Sequence, residues 1–168
     1  MSDALYAPWR MDYIKGLGKS DPGPCFLCQA ADARTDEDRR QKLVLWQTGH
    51  ISVVMNRYPY TNGHILIAPL AHKADLEELS DDESFDLQKQ TTAAVKLLKR
   101  AVSAQGFNVG INLGRCAGAG IPGHLHVHVV PRWAGDINFM HIVGEVSVVP
   151  EAVSRLYGEL VRLRHQGD

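Results

Sequence analysis

Five short runs of the chain are rich in Val, Ile and Leu and closed by turn residues, the pattern of strands. Residues 42–48 stop at Gly49, 51–56 lead into Tyr58-Pro59-Tyr60-Thr61-Asn62-Gly63, and 64–68 end at Pro69. Residues 108–113 and 124–132 supply the other two. Between the third and fourth runs, Ser80-Asp81-Asp82-Glu83 forms a capping box, in which hydroxyl and carboxylate satisfy each other's backbone N–H groups. The spacing predicts a helix from there to about residue 104, with Phe85, Val95, Leu98 and Val102 as its apolar stripe and Gly106 as its C-terminal cap. A last helix is predicted to start at Pro150, a residue suited to the first helical position, and to run to about residue 164. Strands grouped around one long helix predict an α+β fold with a mainly antiparallel sheet. Residues 31–40 are charged and read as an exposed loop or short helix. Residues 1–24, with Tyr6, Trp9 and Tyr13 ahead of Asp21-Pro22-Gly23-Pro24, read as an N-terminal extension that packs its aromatics on the domain or on a partner subunit.

Composition narrows the function classes. A chain of 168 residues, 45% hydrophobic and 22% charged, is the size and make-up of one globular domain. The net charge of −1 argues against a duplex nucleic-acid partner. No stretch approaches the ~18 apolar residues of a membrane helix, and Met1-Ser2-Asp3-Ala4-Leu5 lacks a signal-peptide pattern. Three cysteines cannot all pair, which argues against a disulfide framework and for a reducing cytoplasm.

Histidine is the exception to this ordinary composition. Three of the eight fall in Gly123-His124-Leu125-His126-Val127-His128-Val129. With a period of two, His124, His126, His128 and Val130 share one face of a strand, and Leu125, Val127 and Val129 share the other. A row of imidazoles covers a core poorly and lines an anionic cleft well. Beside the bland reading of a solvent-facing row stand two chemical ones: a metal site, or a neutral imidazole that attacks phosphorus and becomes a phosphohistidine.

The run from His124 to Arg132 resembles the His-φ-His-φ-His-φ-φ signature of the histidine triad superfamily of nucleotidyl hydrolases and transferases. Residues 54–64 are similar to that family's ribose-binding strand and turn, and 106–114 to the strand before the triad. Leu5-Tyr6-Ala7-Pro8-Trp9-Arg10 and Gly135-Asp136-Ile137-Asn138-Phe139 resemble the diadenosine tetraphosphate phosphorylase branch, so the likeness covers about residues 5–143. It implies a histidine triad fold over residues 25–168: an antiparallel sheet of about five strands, one long helix and a C-terminal helix, paired into a homodimer through the sheets. It implies cleavage of diadenosine polyphosphates, with His126 as nucleophile, His124 and His128 as its supports, Asn56 on the ribose, Asn112 on the α-phosphate and His64 behind the site. On their own terms Asn56 also suits a turn cap and Asn112 a sheet end.

Cys25-Phe26-Leu27-Cys28 is a C-x-x-C motif, which alone serves zinc, redox chemistry or packing. No thioredoxin-like βαβ context accompanies it, and two His would complete a tetrahedral Cys2His2 site. Zinc-carrying histidine triad proteins are similar, and the resemblance implies His72 and His124 as the partners. Hydrolytic members carry Gln and then Ser or Thr four and three residues before the first His. Here those positions are Gly120 and Ile121, followed by Pro122. Only backbone N–H groups of the loop 114–120, Gly118 and Gly120 among them, are left to hold phosphate oxygens. That departure argues against the alternatives of a general dinucleotide hydrolase or a nucleoside phosphoramidase and favours inorganic phosphate over water as the second nucleophile; a non-catalytic nucleotide-binding protein is the rival reading from another class.

Overall fold

A computed structural model describes residues 24–136 and 152–166. The chain forms α1 (Phe26–Ala31), α2 (Asp36–Gln41), β1 (Val44–Gln47), β2 (Ile51–Met55), β3 (Ile65–Pro69), α3 (Asp81–Val102), β4 (Gly106–Ile111), β5 (Val127–Arg132) and α4 (Val153–His165). The strands make one antiparallel sheet in the order β1-β2-β3-β5-β4. This is the α+β architecture the pattern predicts.

Alternation sorts the strand side chains into two layers. Val53, Ile65, Ile67, Leu125, Val127 and Val129 pack with Leu87, Ala94, Leu97 and Leu98 of α3 and Leu156, Tyr157 and Leu160 of α4. On the opposite face Val44, Val54, Leu66 and Ala68 meet Leu27 and Ala30 of α1. Helix α1 thus shields part of that second face, and the triad imidazoles emerge on it beside Leu66, which pairs with His128. A bulge between Val44 and Trp46 breaks the alternation and turns both Leu45 and Trp46 toward the helices.

The capping box is present: the Ser80 hydroxyl accepts from Glu83 N–H, and Glu83 accepts from Ser80 N–H at 2.7 Å. Other expectations need correction. Phe85 is 73% exposed. The buried stripe of α3 is Glu83, Leu87, Gln90, Thr91, Ala94, Leu97 and Leu98, and two residues from Leu87 is about 200° around the helix. The helix ends at Val102 with Ser103 in the left-handed conformation (φ 49°), not at a Gly106 cap; Gly106 is the first residue of β4, paired with Arg132. The fourth strand therefore lies two residues earlier than 108–113, leaving Asn112 beyond its end. The last helix starts at Val153 behind an Ala152 cap, and Pro150 lies outside the described residues. Helix α1 has no sequence counterpart, while 31–40 resolves into α2, whose Thr35 cap is reciprocated by Asp38. Tyr6, Trp9 and Tyr13 also lie outside the described residues.

Candidate active site

The triad does not lie wholly in a strand. Strand β5 begins at Val127, one residue after His126, because Leu125 N–H donates to the Lys73 carbonyl (2.6 Å) and His124 N–H to Ile121, not to a neighbouring strand. His124 and His126 are nonetheless buried, on the approach to β5, while His128 is half-buried within it. His64 precedes β3 and is fully buried. Gly63 places it: its φ is +81°, and a Cβ there would stand 3.1 Å from Leu98 Cδ2.

The hydrogen-bond partners assign the protons. Tyr60 N–H donates to His64 Nδ1 at 3.2 Å, so that nitrogen is an acceptor; Asn56 Nδ2 approaches it at the same distance. The His64 proton therefore sits on Nε2 and is donated to His128 Nδ1 at 2.9 Å. His128 in turn carries its proton on Nε2. His126 Nδ1–H donates to the His124 carbonyl at 2.8 Å, which leaves the His126 Nε2 lone pair bare. His124 Nε2–H donates to the Pro69 carbonyl at 2.9 Å, which leaves its Nδ1 bare.

The same rings are held neutral. Burial, followed by the repulsion that a second cation would meet beside His128 and His126, pushes His64 down to about 3. Burial and then His126 push His128 down to about 4. Burial also lowers His126 and His124. The His126 and His128 rings meet edge-on with centroids 4.8 Å apart, and Tyr60 covers His64 at 4.6 Å. The arrangement offers an uncharged nitrogen base beside an N–H donor, fixed from behind by His64.

Asn56 is half-buried and engaged: Oδ1 accepts from Tyr58 N–H at 2.9 Å, the turn cap expected of it, and Nδ2 faces His64. Asn112 follows Ile111, which pairs with Val127, and so stands level with His126 along the sheet. Its Nδ2 reaches the Gly118 carbonyl at 3.4 Å. Gly118, at φ +87°, spends its N–H on the Arg115 carbonyl at 3.0 Å. That amide is not available as a phosphate donor, whereas none of the described bonds uses the N–H of Gly120. The part of Tyr60, a ring over the relay and an amide on His64, was missed in the sequence. Its turn position between Pro59 and Gly63 was the only signal.

A second cluster adjoins the first. Cys25 caps α1 and Cys28 lies in its first turn, so the C-x-x-C spacing turns both thiols the same way. Cys28 Sγ is 3.1 Å from His72 Nδ1, and Cys25 Sγ is 3.4 Å from the bare His124 Nδ1. The four ligand atoms lie within 4.8 Å of one another. Tetrahedral zinc, at about 2.3 Å to sulfur and 2.0 Å to nitrogen, requires ligand atoms roughly 3.3–3.8 Å apart. Burial and the neighbouring Cys25 push the Cys28 thiol up to about 11; a dication reverses that preference. The residues present therefore fit zinc, with the Pro69 carbonyl fixing the His124 ring.

The sheet order, the row of three imidazoles and the match of residues 37–135 to the HIT domain model define the class: the chain belongs to the histidine triad family. Among individual relatives, it is 39% identical over 152 residues to the AP-4-A phosphorylase of Mycobacterium tuberculosis, covering 88% of this chain and 76% of that one. A histidine triad nucleotide-binding protein of Sulfolobus tokodaii superposes with a TM-score of 0.65 at 23% identity, over 84% of this chain and 93% of its own. A Zn-bound histidine triad family protein of Mycobacterium smegmatis superposes with a TM-score of 0.56 at 25% identity, over 84% and 96%.

Proposed function

We propose that this protein cleaves diadenosine polyphosphates, diadenosine tetraphosphate above all, through an adenylyl-histidine, and passes the adenylyl group to inorganic phosphate. The observation that carries the reading is the proton placement: a bare His126 Nε2 beside a His128 Nε2–H. The phosphorylase named among the relatives supports the substrate class.

In the first step His126 Nε2 attacks the α-phosphorus, the N–P bond forms, and the bond to the bridging oxygen breaks to release ATP. The leaving polyphosphate is a weak base and requires no strong acid. His128 Nε2–H donates to a non-bridging oxygen of the transferring group, which matters most as charge shifts there. In the second step a phosphate oxygen attacks phosphorus, the N–P bond breaks, and ADP leaves. Asn56 and Asn112 are assigned to the nucleoside end, Asn56 while also steadying His64. The Gly120 amide is assigned to the incoming anion, and Gly118 to shaping the loop.

Cys25, Cys28, His72 and His124 are assigned to a structural zinc, which when bound ties α1 to the loop after β3 and to the triad. His124 then serves as a ligand instead of a phosphate contact. The cysteines are all unpaired, which suits a cytoplasmic site of action, and among the described residues no helix is long and apolar enough to cross a membrane. The exposed outer edge of β4 is assigned to a homodimer.

Product analysis tests the function. Diadenosine tetraphosphate should give ADP plus ATP, at a rate that saturates with phosphate. AMP plus ATP at an undiminished rate without phosphate makes the protein a hydrolase; no turnover under either condition makes it a nucleotide-binding protein.

A further inference from the structure

The turn between β2 and β3 carries two tyrosines, Tyr58 and Tyr60, and both are exposed. Among the described residues the ring contacts of this turn belong to Tyr60. Its ring lies 4.6 Å from that of His64, tilted by 34°, and 5.9 Å from that of His128, within 18° of parallel. One aromatic ring thus lies against both partners of the bond from His64 Nε2–H to His128 Nδ1. The turn is pinned on either side of it. Tyr58 N–H donates to Asn56 Oδ1 at 2.9 Å, and the Thr61 hydroxyl donates to the Pro131 carbonyl at 3.0 Å. His64 N–H closes the turn on the Thr61 carbonyl at 3.3 Å.

Tyr60 is 53% exposed while His64 beside it is fully buried, so the ring stands between the imidazole and solvent. Among the described residues nothing bonds to the Tyr60 hydroxyl; the side chain contributes a ring and not a donor. Water in its place would compete for His64 Nε2–H and for His128 Nδ1, and would raise the local dielectric that a buried hydrogen bond depends on. That bond decides which His128 nitrogen carries the proton. With Nδ1 occupied as an acceptor, Nε2–H is the group left to face a substrate.

We propose that Tyr60 is a positioning residue: its ring keeps water off the His64–His128 hydrogen bond and thereby holds His128 Nε2–H toward the group in transfer. The role rests on the reaction proposed above. It requires the ring and not the hydroxyl. It is also separate from the backbone N–H of Tyr60, which any residue but proline would supply to His64 Nδ1.

Tyr60→Ala removes the ring and leaves that N–H in place, at a half-exposed turn position where the fold should survive. With diadenosine tetraphosphate and phosphate its kcat should fall about 10–100-fold, the scale of a misplaced catalytic group, with KM within about twofold. Exchange of the His64 Nε2 proton with water gives a reading that requires no substrate. Its nuclear magnetic resonance signal, identified by its loss in His64→Gln, should exchange at least about tenfold faster in Tyr60→Ala. Tyr60→Phe should restore both kcat and slow exchange, and Tyr60→Leu, an apolar cover without a π-face, should restore slow exchange. An unchanged kcat or an unchanged exchange rate in Tyr60→Ala, a Tyr60→Phe as impaired as Tyr60→Ala, or a loss confined to KM would each overturn the proposal. A wild-type protein that turns over no dinucleotide overturns the reaction instead, and the exchange rates then still decide whether Tyr60 guards the bond.

Discussion

At the level of single residues, the chemistry depends on where four protons sit. His126→Ala removes the proposed attacking nitrogen and should lower kcat by about 10³-fold or more with nucleotide binding largely kept, as for other covalent nucleophiles; steady-state kinetics beside a binding titration check both. The pH profile is a sharper expectation. In the proposed reaction His126 is the neutral nucleophile, and burial holds its pKa below the ordinary value. The acid limb of the activity profile should therefore be centred below the ordinary imidazole value. A fall in kcat/KM centred near 6.5 would show a solvated imidazole instead. His64 adds a stability term of known sign. Its folded pKa is about 3, so the unfolded chain binds the extra proton first. Its contribution is complete above pH 6.5 and is lost as pH falls toward 3, at up to about 1.4 kcal/mol per pH unit. Urea unfolding at pH 7 and pH 5 measures this, and the difference should shrink in His64→Gln. Of these protons the sequence shows only the periodicity that collects the imidazoles. Nδ1 and Nε2 are told apart by the Tyr60 amide and the His124 and Pro69 carbonyls, and backbone groups leave no mark on the residue pattern.

At the level of elements, legibility followed how much of each signal is local. Ser80 and Glu83 lie three residues apart and bond to each other, so the start of α3 was readable. Its buried stripe was not, because Gln90 and Thr91 sit in the core. Trp46 Nε1–H donates to Gln90 at 2.9 Å, and the Thr91 hydroxyl to the Leu87 carbonyl. These pairings satisfy polar groups that a hydrophobicity pattern scores as surface. Helix α1 escaped because it has only six residues and no side-chain cap; Cys25, Cys28, Leu27 and Ala30 define it through tertiary contacts. That same helix makes a prediction. Its cysteines meet His124, and the His124 carbonyl holds the His126 Nδ1 proton. Cys28→Ser should reduce bound zinc from about one equivalent per chain to none by elemental analysis, and should lower both Tm and kcat. Normal metal content or unchanged turnover would separate the cluster from the nucleophile.

At the level of the whole molecule, the sheet has two edges with different fates. Beside β1, Tyr157 on α4 donates its hydroxyl to the Val44 carbonyl, so that edge is at least partly dressed by a helix. The β4 edge carries Gly106-Phe107-Asn108-Val109-Gly110-Ile111, a strand with no charged residue and no proline. Its Asn108, Val109 and Gly110 are exposed, and Val109 and the nearby Leu113 are 49% and 40% exposed. An uncharged free edge invites another strand, and soluble proteins guard such edges with Lys, Pro or a bulge. None of these is present here, so a partner is the physical remedy. A second copy laid antiparallel across β4 would satisfy the β4 edges of both chains at once and close the assembly by a two-fold axis. It would also set two triads on one continuous sheet, because β4 pairs directly with β5. Light scattering should give twice the chain mass. Val109→Lys puts a charge on the edge strand, the guard that such edges ordinarily carry, and should yield the monomer; since Val109 is half-exposed in the single chain, its fold should survive. A wild-type monomer, or a dimer indifferent to Val109→Lys, would place the subunit contact elsewhere.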